Sequence, residues 1–247
     1  INRSFYHANV YEYPIAFLML PNGRVGLAHC PERYCQLEIE DAETGERLTN
    51  RDAKPADFFH SRLSVSTNGR YLLSAGWIWH PFEYIHLFDI AEALSTPNTL
   101  DNGKMRLTRD GVTIPSGFIE DDRIIFATED DYYSENDTEG DQTSLLPPKM
   151  IAQYKISDKS ILHAAPLQEV VGIIYPFGPD HVISFYNYPK IIALATGETT
   201  ARWEEFHTGE QTSCIVMNSS KFSPPIAIDP ASKRFAIASD TEITVIQ

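Results

Sequence analysis

Acidic residues are the first candidates for chemistry in this sequence. Asp57, Asp110, Glu169 and Asp180 each stand beside the start or turn of a patterned segment. Two carboxylates held on opposite sides of a bond, one as acid and one as base or nucleophile, are the equipment of glycoside hydrolysis. Glu135, Asp137, Glu139 and Gly140 have the spacing of the first, third, fifth and sixth positions of a calcium loop. The twelfth position is Leu146 where a bidentate Glu belongs, and no helical pattern flanks the stretch, so the motif is incomplete. The histidines His7, His29, His60, His80, His86, His163, His181 and His207 show no short helical spacing of the kind zinc sites use. His60 and His86 read as ordinary strand residues. The three cysteines, Cys30, Cys35 and Cys214, are odd in number and include no pair separated by two residues. Cys30 and Cys35 are close enough to pair from neighbouring segments, but buried, idle thiols are the expectation. Nucleophile-elbow, phosphate-loop and dinucleotide fingerprints are absent. No cofactor or metal is expected, and no catalytic residues are assigned.

Two clusters have the composition of a binding surface instead. Trp77, Trp79, His80, Phe82 and Tyr84 crowd one short segment. Presented on a loop, they would form an aromatic anchor of the kind that dominates interface energies. The competing arrangement packs alternate members inside, with Pro81 shaping the turn. The second cluster is acidic. Ten Asp and Glu residues lie from Glu120 to Asp141 against a single Arg123. Within it Asp130, Asp131, Tyr132, Tyr133, Glu135, Asp137, Glu139 and Asp141 suit a basic partner, although a run of this kind is also an ordinary solvated loop.

Whole-chain charge points the same way. Thirty-four acidic against twenty basic residues give a formal charge of -14, which repels phosphate backbones and anionic membranes and favours a basic protein or a cation. With 43% hydrophobic and 11% aromatic residues, the 247-residue chain can fill a sizeable core. No run approaches the roughly 18 apolar residues of a membrane span. The N-terminus, INRSFYHANVYEY, has neither a basic start nor an apolar signal core, and it begins without Met, as a trimmed or processed chain would.

The elements that must position these residues are strands. LSVSTNGRYLLSAG alternates apolar and polar residues about Asn68-Gly69, a pair that permits the positive φ angles of a two-residue hairpin turn, and EYIHLFDI supplies a third strand. YPIAFLML, Asn22-Gly23, RVGLAHC and CQLEIEDAETGERL repeat that order. A third unit runs from TIPSGFIEDDRIIFAT to KMIAQYKISDKSIL around the acidic insertion, at about residues 129–148 and closed by Pro147-Pro148. VGIIYPFGPDHVISFYNYPKIIALATGETT and PPIAIDPASKRFAIASDTEITVIQ complete the series. Thr196-Gly197-Glu198 echoes Thr44-Gly45-Glu46 as an exit toward the following repeat. The third strands fall near 36–40, 85–89, 151–155, 190–194 and 243–246, at steps close to 40–45 residues except across the insertion.

This pattern resembles the WD40-type β-propeller repeat over roughly residues 14–247. It is most specific in LSVSTNGRYLLSAG with Phe88-Asp89, and fair in IEDAETGERL. Departures are plain: no Gly-His opens a repeat, no Trp-Asp closes one, and only Asp41 and Asp89 keep the Asp, with Lys155 in the third repeat. The resemblance implies an all-β, single-domain β-propeller of four-stranded antiparallel blades. Five are expected, and a sixth would have to fit between Trp203 and Met217. It also implies a platform for protein partners rather than an enzyme. The expectation is therefore a cytoplasmic, monomeric, non-enzymatic scaffold binding a basic protein through the aromatic and acidic clusters, without nucleic acid or membrane. The alternative is a carbohydrate-active enzyme or lectin with an acidic central pocket.

Overall fold

A computed structural model describes residues 11–52, 54–79, 82–105, 116–128, 146–211 and 223–247. The fold is all-β and consists of small antiparallel sheets. Each sheet uses one stretch of sequence, with consecutive strands side by side. The first holds Ile15–Met19 (β1), Val25–His29 (β2) and Glu38–Asp41 (β3); the second holds Leu63–Val65 (β4), Tyr71–Trp79 (β5), Phe82–Asp89 (β6) and Lys104–Met105 (β7). The third holds Ser116–Glu120 (β8), Arg123–Ala127 (β9), Met150–Lys155 (β10) and Ser160–Pro166 (β11). The fourth comprises Ile174–Pro176 (β12), His181–Ser184 (β13), Lys190–Ala193 (β14) and Thr199–Arg202 (β15), and the fifth Ile226–Asp229 (β16), Arg234–Ala238 (β17) and Ile243–Ile246 (β18). The five third strands β3, β6, β10, β14 and β18 occupy the places read from the repeat spacing.

The chain divides into two compact units, one containing β1 to β7 and the other β8 to β18. In the first, Leu18, Ala28 and Ile39 pack against Leu72, Phe88 and Ile90, so one face of each sheet is buried on the other. In the second, alternation along β13 and β14 serves two neighbours. Val182 and Ile192 meet Ile125, Ala127 and Ile151 of the third sheet, while Ile183 and Ile191 meet Phe235 and Ile237 of the fifth. Strand residues of period two that are apolar on both faces are what a sheet covered on both sides requires.

Two turn expectations are corrected. Asn22-Gly23 and Asn68-Gly69 do not form two-residue hairpins with positive φ at both positions. Each lies in a wider turn, closed by Leu20 N to Arg24 O at 2.8 Å and by Ser66 N to Tyr71 O at 2.9 Å, and only Gly23 (φ 80°) and Gly69 (φ 71°) are left-handed. The Asn side chains accept from the backbone N–H of Arg24 and Arg70, both at 3.0 Å, which fixes the alternative. Thr44-Gly45-Glu46 and Thr196-Gly197-Glu198 are the second case. They do not lead to the next sheet but turn the chain back along its own third strand, with matching bonds Gly45 N to Asp41 O and Gly197 N to Ala193 O, both 2.8 Å. Gly45 and Gly197 have φ of 71° and 72°.

The same arginines clasp the far end of the sheet. Arg24 reaches Asp41 at 2.9 Å and Arg70 reaches Asp89 at 3.1 Å, tying each Asn-Gly turn to the end of the third strand. Asp89 also caps the short helix Ile90–Ser95 (α1) by accepting from Glu92 N–H. Asp41 and Asp89, each at the end of its third strand, thus have partners, in an ion pair. Four-strandedness holds for three of the five sheets. In the first sheet the returning chain makes a single bridge, Glu40 with Arg47, before turning inward, and the fifth has three strands among the described residues. Between Trp203 and Met217, the place for a sixth repeat, Gly209 makes an isolated bridge to Asn187, and residues 212–222 lie outside the described ones.

Candidate functional site

The aromatic segment is strand, not loop. β5 runs on through Trp79 and pairs with β6 to its end, with Trp77 opposite Glu83 and Trp79 opposite Phe82. Alternating aromatic and β-branched residues on both sides of the turn explain the extension. Trp77 is 4% exposed and belongs to the interior. Its ring lies 3.9 Å from Phe59 at 11°, and Phe59 lies 4.0 Å from Tyr34 at 14°, with Tyr11 edge-on. Paired backbone bonds between Phe59 and Trp77, at 2.8 and 3.2 Å, hold the stack in register. At its half-buried end the Tyr34 hydroxyl donates to Asp57, and burial together with that carboxylate raises the phenol well above its ordinary range. Tyr84 is half-buried. His80, Pro81 and the residues of the acidic segment, Asp130, Asp131, Tyr132, Tyr133, Glu135, Asp137, Glu139 and Asp141, lie outside the described residues. The strands that carry the insertion are paired as expected, Ala127 opposite Ile151 and Arg123 opposite Lys155.

The densest charge cluster among the described residues of the first unit was not legible as a site. Arg51 stands in the polar stretch NRDAKPAD, which reads as a linker, yet its side chain is 2% exposed. The guanidinium donates to Glu38 at 3.0 Å, to Asp101 through two nitrogens at 3.1 and 2.9 Å, and to the carbonyls of Leu37 and Thr49. Glu38, 1% exposed, also accepts from Thr49 and Gln36, both at 2.6 Å. Every partner is satisfied, which is the condition for burying such a group. The cluster anchors the connector and has no open position for a ligand.

His60 and His86 are packing residues; His86 is a strand residue of β6 as expected, whereas His60 precedes β4 and lies in no strand. Phe58 stacks on His86 with centroids 3.8 Å apart and meets His60 edge-on at 4.9 Å, while His60 Nδ1 is 3.1 Å from Ser74 Oγ. Burial, helped by His86 and Arg51, pushes the His60 imidazole well below its usual 6.5. A base held neutral in this way contributes stability that is complete above 6.5 and is lost as pH falls below it. Urea unfolding of the native protein is expected to show a falling midpoint between neutral pH and about pH 5. His60→Gln should flatten that slope; an unchanged slope would contradict the assignment.

In the second unit Glu169 gathers cations. Its carboxylate accepts from Tyr188 at 2.7 Å and Lys190 at 3.1 Å, and pairs with Arg202 at 3.1 Å. Lys190, with a side chain 2% exposed, also donates to Val170 O and lies 4.5 Å above the Tyr188 ring. Burial favours the neutral acid, but hydrogen bonds from Tyr188, Thr199 and Lys190 outweigh it and bring the carboxyl down to about 2. The resulting stability, on the order of 2–3 kcal/mol, is present above the unfolded value near 4.5 and disappears as pH falls toward 2. Acid titration followed at the second unit should lose this component in Glu169→Gln; an identical acid limb in both proteins would count against the network.

Among the described residues, the carboxylates considered for glycoside cleavage do not form a pair within a unit. Asp57 is exposed beside Tyr34 in the first, and Asp110 lies outside the described residues. Glu169 is held at the start of β14, whereas Asp180 lies opposite Leu194 past its other end. Four residues of strand, about 13 Å, separate these ends. Catalytic pairs sit at roughly 5–9.5 Å. No group of three or more His, Cys, Asp or Glu residues among the described ones could hold a metal. Cys30 and Cys35 are free thiols, and burial raises both above the ordinary range, so they remain protonated near neutral pH. Cys214 lies outside the described residues.

No family model and no curated protein matches this chain. No helix among the described residues is long and apolar enough to cross a membrane.

Proposed function

We propose that the chain is a β-propeller scaffold, with its five meander sheets as blades, that binds a basic protein partner without catalysis. The observation that carries this reading is the repetition itself. Five successive stretches each yield one antiparallel meander, and the third strands β3 to β6 and β10 to β14 begin 44 and 40 residues apart, the spacing of the repeat. Small-angle scattering that fits the sheets in an open row would remove the propeller. Polar clusters within the described residues are consumed internally: Arg51 with Glu38 and Asp101, and Lys190 with Glu169. That supports scaffolding over catalysis, since a catalytic group needs an unsatisfied or perturbed partner facing a cleft. The net charge of -14 and the ten acidic residues from Glu120 to Asp141 support a basic partner, approached through long-range attraction. The carbohydrate reading has less support, because Glu169 is already paired.

The test is capture of partners by the purified protein at low and high salt. It compares the native sequence with a variant carrying Asn or Gln at the acidic positions 130, 131, 135, 137, 139 and 141, and with Trp79→Ala. A basic protein that is retained at low salt, released at high salt and lost in the acidic variant supports the proposal. The same recovery from all variants, or none from any, rejects it.

A further inference from the structure

We infer that Asn22 is a site of spontaneous deamidation in the folded protein, while Asn68, set in the same tripeptide, is guarded by Ser66. Asn22-Gly23-Arg24 and Asn68-Gly69-Arg70 are identical in sequence, so in an unfolded chain their chemistry is nearly the same. The reaction begins when the backbone nitrogen of the glycine attacks the asparagine Cγ. A C–N bond forms, the glycine N–H proton passes to solvent, and the carboxamide nitrogen leaves as ammonia. Water then opens the cyclic imide at either carbonyl, giving aspartate or isoaspartate. Glycine as the following residue leaves the attacking nitrogen unhindered by any Cβ.

The fold restrains both sites but not equally. In both turns the glycine N–H is engaged, Gly23 to Leu20 O at 2.9 Å and Gly69 to Ser66 O at 2.8 Å, and in both the Asn Oδ1 accepts from the following Arg N–H at 3.0 Å. The difference lies two residues upstream. Leu20 has no side-chain donor, whereas Ser66 Oγ donates to Asn68 Oδ1 at 2.9 Å and itself accepts from Tyr71 N–H at 2.9 Å. Ser66 is 3% exposed, so this hydroxyl is fixed within the turn. Gly23 is exposed and Gly69 half-buried. To rotate its Cγ onto the glycine nitrogen, Asn68 must release the bond from Ser66, a buried partner with no counterpart at Asn22.

Conversion at Asn22 also has a structural result. It sets a new carboxylate, or with isoaspartate an extra backbone atom, inside the turn closed by Leu20 N and Arg24 O at 2.8 Å. The new carboxylate would stand where the amide oxygen accepts from Arg24 N–H at 3.0 Å, in a turn whose Arg24 guanidinium already spans Asp41 at 2.9 Å and Glu43 at 3.4 Å.

The experiment ages the full-length protein in mildly alkaline buffer, folded and in denaturant, and quantifies the peptides bearing each Asn and its acidic products by chromatography and mass spectrometry. In denaturant the two sites should convert at similar rates. In the folded protein Asn22 should convert about two- to tenfold faster than Asn68, the range set by the hydrogen bond from Ser66. Ser66→Ala should bring Asn68 toward the Asn22 rate, and Ser66→Thr, which keeps a hydroxyl, should not. Equal rates in the folded native protein, a faster Asn68, or a folded Asn22 that stays intact while the denatured one converts would each overturn the inference. So would a Ser66→Ala protein with an unchanged ratio, and the native comparison decides the matter without that variant.

Discussion

Replacing Arg51 with methionine should lower the unfolding free energy by about 3–5 kcal/mol, the range found when one partner of a buried ion pair is removed. The side chains of Arg51 and Glu38 are 2% and 1% exposed, so water cannot take the place of the lost guanidinium. Glu38 would keep its bonds from Thr49 and Gln36 but lose the guanidinium that donates to it, and Asp101 would lose all three of its bonds from Arg51. At this chain length the change corresponds to a fall in melting temperature of about 10 °C. Denaturant unfolding of the native protein and of Arg51→Met measures it. Adding Glu38→Leu to the variant should recover part of the loss, because a buried pair replaced on both sides by apolar groups is often nearly neutral. A single variant within 1 kcal/mol of the native protein would mean that the cluster is solvated in solution.

Gly76→Ala is expected to be comparably severe for an unrelated reason. An added Cβ at position 76 would stand 2.0 Å from the carbonyl oxygen of Phe59 and 2.8 Å from Cζ of Phe58. The first of these atoms is backbone, and it accepts the bond from Trp77 N–H that aligns the aromatic stack. Relief requires residues 58 and 59 to move away from β5, which breaks both the bridge and the Phe59–Trp77 contact. A loss of about 3 kcal/mol or more is expected, accompanied by a changed fluorescence spectrum as Trp77 loses its partner. Gly45→Ala provides the comparison: nothing lies within 4 Å of its Cβ position, and only its φ of 71° opposes the change, so about 1 kcal/mol is expected there. If Gly76→Ala is as mild as Gly45→Ala, the strand at Phe59 is free to shift.

The contrast between these two sites shows what the sequence could disclose. Strand placement was legible because it is local: period-two alternation in RYLLSAG or HVISF needs no partner to be recognised, and Gly45 and Gly197 mark the same turn by the same three residues. What lay beyond reach was long-range pairing. Nothing near Arg51 hints at Asp101, fifty residues away, and a polar connector is ordinarily solvated. Lys190 was hidden for the same reason, its partner Glu169 lying on the far side of two strands. Trp77 was ambiguous in principle, since an aromatic in a strand can face either way. Its orientation was decided by Gly76 and Phe59, one contributing empty space and the other a ring. The turn type failed because Asn-Gly permits two geometries, and the side-chain bonds to Arg24 and Arg70 select the wider one.

The connector held by Arg51 also bears on how this protein can be dissected. A polar stretch with Lys54 and Pro55 between two sheets invites a cut for expressing one sheet without the other. Thr49 and Arg51 are nonetheless part of the first sheet's interior, and Asp101 completes their pairing from beyond the second sheet's third strand. Amide protons along 49–51 should exchange with deuterium as slowly as those of β3. A fragment ending at residue 52 would carry Arg51 and Glu38 without Asp101, so its first sheet should unfold at a lower denaturant concentration than in the whole chain.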